Sequence, residues 1–175
     1  MQKCPESDIE LQIEGAEMFG TMIKPREIEQ MRAACRLAAD TLEMISEHIV
    51  PGITTNQINE LVHDYTIKHK ARPAPLNYGA SKYRSGFPKS VCTSVNEVVC
   101  HGVPDDGPLA VGDLISIDVS TYVGGVFGDT CRTFVVGLDE PDEQAAALMR
   151  ACKAAMDAGI DAARAGRPVH AIGDA

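Results

Sequence analysis

"LISIDVSTYVGGVFGDT", Leu114 to Thr130, decides how this chain is built. Apolar and polar residues alternate through it. Ile115, Ile117 and Val119 therefore point to one face of a strand, while Ser116, Asp118 and Ser120 point to the other. A glycine pair then turns the chain back toward Asp129. Two hairpin registers are open. A turn at Val123-Gly124 sets Asp118 directly opposite Asp129; a turn at Gly124-Gly125 sets it opposite Cys131, with Asp129 as diagonal neighbour. In either register the carboxylates share a face, within roughly 4.5–8 Å between Cβ atoms. A three-residue loop would send one of them to the opposite side.

Like charges that close destabilise a fold unless a proton or a cation intervenes. A shared proton would make a dyad of the aspartic-protease kind, but those are built from two separate loops, each with its own D-[TS]-G-type turn. A metal is the better filler, because two carboxylates on rigid strands offer hard oxygen ligands at fixed separation. The bland alternative is a pair of solvated aspartates on an exposed strand face, and spacing alone does not exclude it.

Upstream, apolar residues from Pro25 recur at three- and four-residue steps: Ile28, Met31, Cys35, Leu37, Ala38, Leu42, Ile45 and Ile49. That is a helix with one apolar stripe, begun at Pro25 with no Ser, Thr, Asp or Asn before it and ended by Pro51-Gly52. Thr54 and Gln57 have capping-box spacing and open a second helix through Ile58, Leu61, Val62 and Tyr65. "ARPAPLNYGASKYRSGFPKS", residues 71–90, has no sustained period and reads as a long loop of the kind that carries function. β-type runs follow at Val91–Val95, Val98–His101, Leu114–Tyr122 and Phe127–Val136. An Ala-rich helix is expected from about Glu140 to Ala165, then a loop and the first turns of another helix.

Composition narrows the class. The 175 residues suffice for one domain with a sizeable core, and 45% hydrophobic with 23% charged residues is ordinary for a globular chain. A net charge of -9 argues against unaided binding to nucleic acid or an anionic membrane. No apolar run approaches the roughly 20 residues of a membrane span. The six cysteines form no C-x-x-C pair, which points to a reduced, cytoplasmic setting with nearly all of them small buried hydrophobes. His101 ends an apolar run before Gly-Val-Pro, where loops build sites; a lone histidine is more often structural. Asn96 and the carbonyl of Val98 offer oxygen ligands for a monovalent ion.

Three stretches, "FPKSVCTSVNEVVCHGVPDD", "GDLISIDVS" and "GDTCRTFVVG", closely resemble the type I methionine aminopeptidases. The helices "IKPREIEQMRAACRLAADTLEMI" and "PGITTNQINELVHDYTI" match too, so the likeness runs from about Thr21 to the C-terminus. The resemblance implies an α/β (α+β) pita-bread metallopeptidase fold, of which this chain holds the first half and the start of the second. Residues 1–20 would be an N-terminal extension, and residues 21–175 the N-terminal portion of a catalytic domain. It implies two divalent metal ions (Co, Mn, Fe or Zn), with Asp118 chelating one and Asp129 bridging both. His101 would contact the scissile amide and stabilise the tetrahedral intermediate; Tyr78, Phe87 and Cys92 would line the pocket for the methionine side chain. The implied reaction removes the initiator methionine from nascent polypeptide N-termini, at the ribosome, when the second residue is small. The family's remaining ligands, one histidine and two glutamates, lie beyond Ala175, so the chain alone is expected to be inactive. His170 sits where the family has a helix start and is expected at the surface. "ASKYRS" inserts several residues between Tyr78 and Phe87. The competing reading is a non-catalytic binding module that keeps the pita-bread fold without the chemistry.

Overall fold

The computed structural model describes residues 24–175. The expected 1–20 extension lies outside the described residues. Two helices, α1 (Pro25–Ser46) and α2 (Thr55–Lys68), precede a four-stranded antiparallel sheet of β1 (Arg72–Pro73), β2 (Cys92–Val95), β3 (Leu114–Val123) and β4 (Val126–Val135). Helices α3 (Glu143–Ala162) and α4 (Ala171–Asp174) follow. Among the described residues, no helix is long and apolar enough to cross a membrane.

The ribbon of β3 and β4 organises everything else. β4 pairs with β3 along its whole length, from Leu114↔Val135 to Val123↔Val126. That leaves one edge of β3, and β2 and β1 share it end to end: Cys92 stands opposite Asp118, while Pro73 stands opposite Thr121. The turn falls at Gly124-Gly125, with φ of 63° and 90°. Positive φ at both central positions is what this turn needs, and a valine in the first of them would be strained.

Ile115, Ile117, Val119 and Thr121 turn one face of β3 into the core, against Ala38, Leu42 and Ile45 of α1 and Ile58 and Val62 of α2. The expected α1 stripe is rotated. Its buried residues are Ala34, Ala38, Thr41, Leu42 and Ile45, while Ile28 and Cys35 are exposed. Close approach explains the difference: Thr121 Oγ1 donates to the Ala34 carbonyl at 3.0 Å, and a Cβ at Gly128 would overlap the backbone of Ala34 and Cys35. Where Gly128 meets Ala34, only a small residue fits between helix and sheet.

Caps behave as local chemistry dictates. Thr54 Oγ1 accepts from the Gln57 N–H at 3.1 Å, and Gln57 Oε1 accepts from the Thr54 N–H at 2.9 Å. At α1, Glu27 accepts from the Lys24 N–H at 2.7 Å, a cap that does not need a residue of the usual cap types before Pro25.

Three expectations are corrected. Val98–His101 is not a strand: Asn96 is in the left-handed region at φ 51°, Val98 N–H closes a turn onto the Val95 carbonyl, and the chain runs on as a loop. The long loop contains the short strand β1. Cys92 alone among the described cysteines is buried; Cys35, Cys100, Cys131 and Cys152 are exposed, since each stands on a loop, a polar sheet face or an outward helix face. In α3 only Gly159 and Ala162 are buried, and Leu148, Met156 and Ile160 face outward.

Candidate metal centre

The polar face of the ribbon is a ladder of side-chain pairs. Ser116 Oγ and Thr133 Oγ1 are 2.8 Å apart, Asp118 stands opposite Cys131, and Ser120 Oγ donates to Asp129 Oδ1 at 2.7 Å. Asp118 and Asp129 are thus diagonal neighbours on one face, as the Gly124-Gly125 register requires, and lie within hydrogen-bonding reach of each other. Beyond them, Tyr122 and Phe127 pack with ring centroids 4.8 Å apart, and Arg72 lies over Tyr122.

Electrostatics mark this face as strained. Partial burial raises the Asp118 carboxyl above its ordinary value, and the charge of Asp129 and the hydrogen bond between the two acids raise it further; His101 pulls the other way. Cys92, on the neighbouring strand, is pushed up to about 11, first by burial and then by Asp118. Cys131 is raised by the same two causes. A cation held between the two carboxylates would relieve that cost.

His101 lies in the loop after β2, near enough to Asp118 for its charge to act on that carboxyl. Its φ is 55°, a conformation that persists only where neighbours enforce it. They do. The next residue, Gly102, donates to Ser94 Oγ and accepts from the Thr93 N–H at 2.9 Å, so closely that a Cβ there would collide with the Thr93 carbonyl. Asp105 N–H then donates to Thr55 Oγ1 at 2.8 Å. Asn96 holds the start of the loop: its Nδ2 donates to Asp113 Oδ1 at 2.9 Å and its Oδ1 accepts from the Leu114 N–H at 3.0 Å. Both polar atoms of that side chain are therefore engaged in the fold, while Val98 is exposed in the loop.

Cys92 is on the site face beside Asp118. Tyr78 and Phe87 meet through their backbones, the Phe87 N–H donating to the Tyr78 carbonyl at 3.0 Å; Tyr78 is 79% exposed and Phe87 half-buried. His170 is exposed, as expected, and contacts Asp174 at 2.8 Å.

One set of residues escaped the sequence reading. Asn56, Asn59 and His63 form a polar stripe on α2, and they bind the returning limb of the long loop: Asn56 Oδ1 accepts from Lys89 Nζ, Asn59 Oδ1 from the Ser90 N–H at 2.7 Å, and His63 Nδ1 lies 2.8 Å from Ser90 Oγ. Their spacing of three and four residues was the available signal.

Do these residues fit a divalent metal? Asp118 and Asp129 supply hard oxygen donors on one strand face, which suits such an ion. Among the described residues, however, no group of three or more His, Cys, Asp or Glu side chains is placed to hold one. The acid pair fits as part of a ligand set.

Comparison with known proteins bears on the family and the fold. The family model described as metallopeptidase family M24 matches residues 29–175. A methionine aminopeptidase of Rickettsia prowazekii is 45% identical over 144 residues, which cover 82% of this chain and 52% of that protein. The crystal structure of the methionine aminopeptidase from Rickettsia prowazekii superposes with a TM-score of 0.74 at 44% identity, covering 80% of this chain and 53% of that one. Prolidase from Pyrococcus furiosus shares the fold, with a TM-score of 0.69 at 22% identity over 85% of this chain and 40% of that one. The chain spans about half the length of the Rickettsia relatives, as expected for a partial pita-bread fold. On the extent of the family match and this identity, the chain belongs to metallopeptidase family M24.

Proposed function

We propose that residues 21–175 are the N-terminal portion of a methionyl aminopeptidase that removes the initiator methionine from nascent proteins with a small second residue. The observation that carries this reading is the acid pair, Asp118 and Asp129, held on one strand face by a two-glycine turn in a chain 45% identical to a methionine aminopeptidase. Asp118 and Asp129 would hold two divalent ions of the Co, Mn, Fe or Zn class together with ligands from outside this span. When bound, the ions supply Lewis acidity for the scissile carbonyl and make water nucleophilic at neutral pH.

The protein's own groups do the rest. Ser120 fixes the rotamer of Asp129 by its 2.7 Å hydrogen bond. His101, whose loop is pinned by Gly102, would donate a hydrogen bond to oxygen developing negative charge at the scissile amide. Cys92 forms a half-apolar wall beside Asp118, to which Tyr78 and Phe87 would add the rim of a methionine pocket. Asn96 and the carbonyl of Val98 are candidates for a structural monovalent cation. The substrate would be met at the ribosome in the cytoplasm, with no direct nucleic-acid contact.

Two carboxylates alone are too few for a dinuclear site. Release of methionine from a Met-Ala peptide is therefore expected from the full-length enzyme and not from residues 1–175 alone. Asp118→Asn in the full-length enzyme should abolish that release and manganese binding by calorimetry together. Full-length protein that binds no divalent metal and turns over no Met-Ala peptide would favour a binding module instead.

A further inference from the structure

Between Asp64 and Glu97 there is no acidic residue, yet Lys68, Lys70, Arg72, Lys82, Arg84 and Lys89 fall there, six of the 16 Lys and Arg in a chain of net charge -9. The fold joins half of this basic island, Lys82, Arg84 and Lys89, to β3 beside the acid pair through the two ends of one loop. The loop that carries Lys82, Arg84 and Lys89 leaves the sheet where Ala74 N–H donates to the Ser120 carbonyl at 2.9 Å and returns where Cys92 pairs with Asp118. Its neck therefore straddles the two β3 residues that border the metal centre. The returning limb is tied to α2 through Asn56, Asn59 and His63.

The tip is itself built. Ser81 and Arg84 form a bridge, Arg84 Nη2 donates to the Gly79 carbonyl at 3.2 Å, and the Asn77 N–H donates to the Phe87 carbonyl at 2.8 Å. At its end Tyr83 is 90% exposed with Lys82 Nζ 5.8 Å from its ring. Among the described residues, neither Lys82 nor Arg84 has an ion-pair partner. An exposed aromatic and two cations without ion-pair partners, on a loop whose neck joins β3 at Ser120 and Asp118, make a recognition surface for a negatively charged chain.

Building on the aminopeptidase reading above, we propose that the hairpin at residues 79–86 reads the substrate downstream of the scissile bond and favours acidic peptides. A hairpin limb of about three residues reaches roughly 10 Å from its base, the span of about three extended peptide residues. Lys82 and Arg84 would meet carboxylates there, and Tyr83 would pack on the peptide backbone or side chains. An RNA partner is disfavoured by the net charge and by a tip with only two cations.

The test uses the full-length enzyme loaded with manganese and two peptides, Met-Ala-Gly-Glu-Glu-Glu and Met-Ala-Gly-Lys-Lys-Lys. The acidic peptide should show a kcat/KM roughly three- to tenfold above the basic one at low salt, a preference that shrinks as ionic strength approaches about 0.5 M. Lys82→Glu should level or invert the ratio, and Tyr83→Ala should lower kcat/KM for both peptides while keeping its sign. Equal turnover of both peptides by the unaltered enzyme overturns the hairpin proposal and leaves the peptidase reading standing. A ratio unmoved by Lys82→Glu overturns it too, as does loss of ribosomal RNA binding in that variant without a change in ratio. If neither peptide is cleaved, the peptidase reading itself fails.

Discussion

The two faces of β3 share ten residues of backbone and differ in everything else. On one, Ile115, Ile117, Val119 and Thr121 are almost wholly removed from water and fitted against α1 and α2. On the other, Ser116, Asp118 and Ser120 are half-open, and two acids repel. The first face holds the fold; the second stores an unfavourable charge that a ligand can relieve. Strand alternation separates stability from function at a spacing of one residue.

Three measurements probe that division, beginning with the largest effect. Ile117→Ala, on the closed face, should lower unfolding stability by about 2–5 kcal/mol in denaturant titrations, because it opens a cavity in a fully buried core. The second change has the opposite sign. Asp118→Asn, on the open face, should raise the Tm of the metal-free protein at neutral pH. A carboxyl whose folded value lies above its unfolded one contributes stability below the unfolded pKa and loses it as pH rises through the folded value. In EDTA, then, the wild-type Tm should fall from about pH 4 to pH 7 more steeply than that of Asp118→Asn, and equal slopes in thermal scans would contradict the picture. The smallest effect belongs to Arg132 and Glu43, whose exposed side chains meet at 3.6 Å between β4 and α1. A double-mutant cycle to alanine should find a coupling of about 0–1 kcal/mol, vanishing at high salt.

Much of this was readable beforehand. Alternation placed Asp118, and the glycine pair limited Asp129 to two registers. The left-handed φ values demanded at both turn positions choose between them, a criterion that favours glycine over Val123. The second helix announced itself through Thr54 and Gln57. What resisted reading depends on contacts distant in sequence. The helix α1 buries Ala34 because Gly128 lets the sheet come close, and no periodicity within the helix reports that. Val98–His101 has strand-like composition, but Asn96 spends its amide on Asp113 and Leu114 and turns the chain away first. The exposure of four cysteines follows from which faces the neighbours cover, which residue type alone does not encode.

The long loop is fastened at both limbs, outward to the Ser120 carbonyl and inward to three side chains of α2, so strain at its tip stops before the sheet. Residues 79–86 behave as a replaceable cartridge. Longer or shorter versions would change closure entropy by only about 0.6 kcal/mol per doubling in length. A protein arranged in this way can acquire new preferences at the mouth of its centre without retuning the strands beneath.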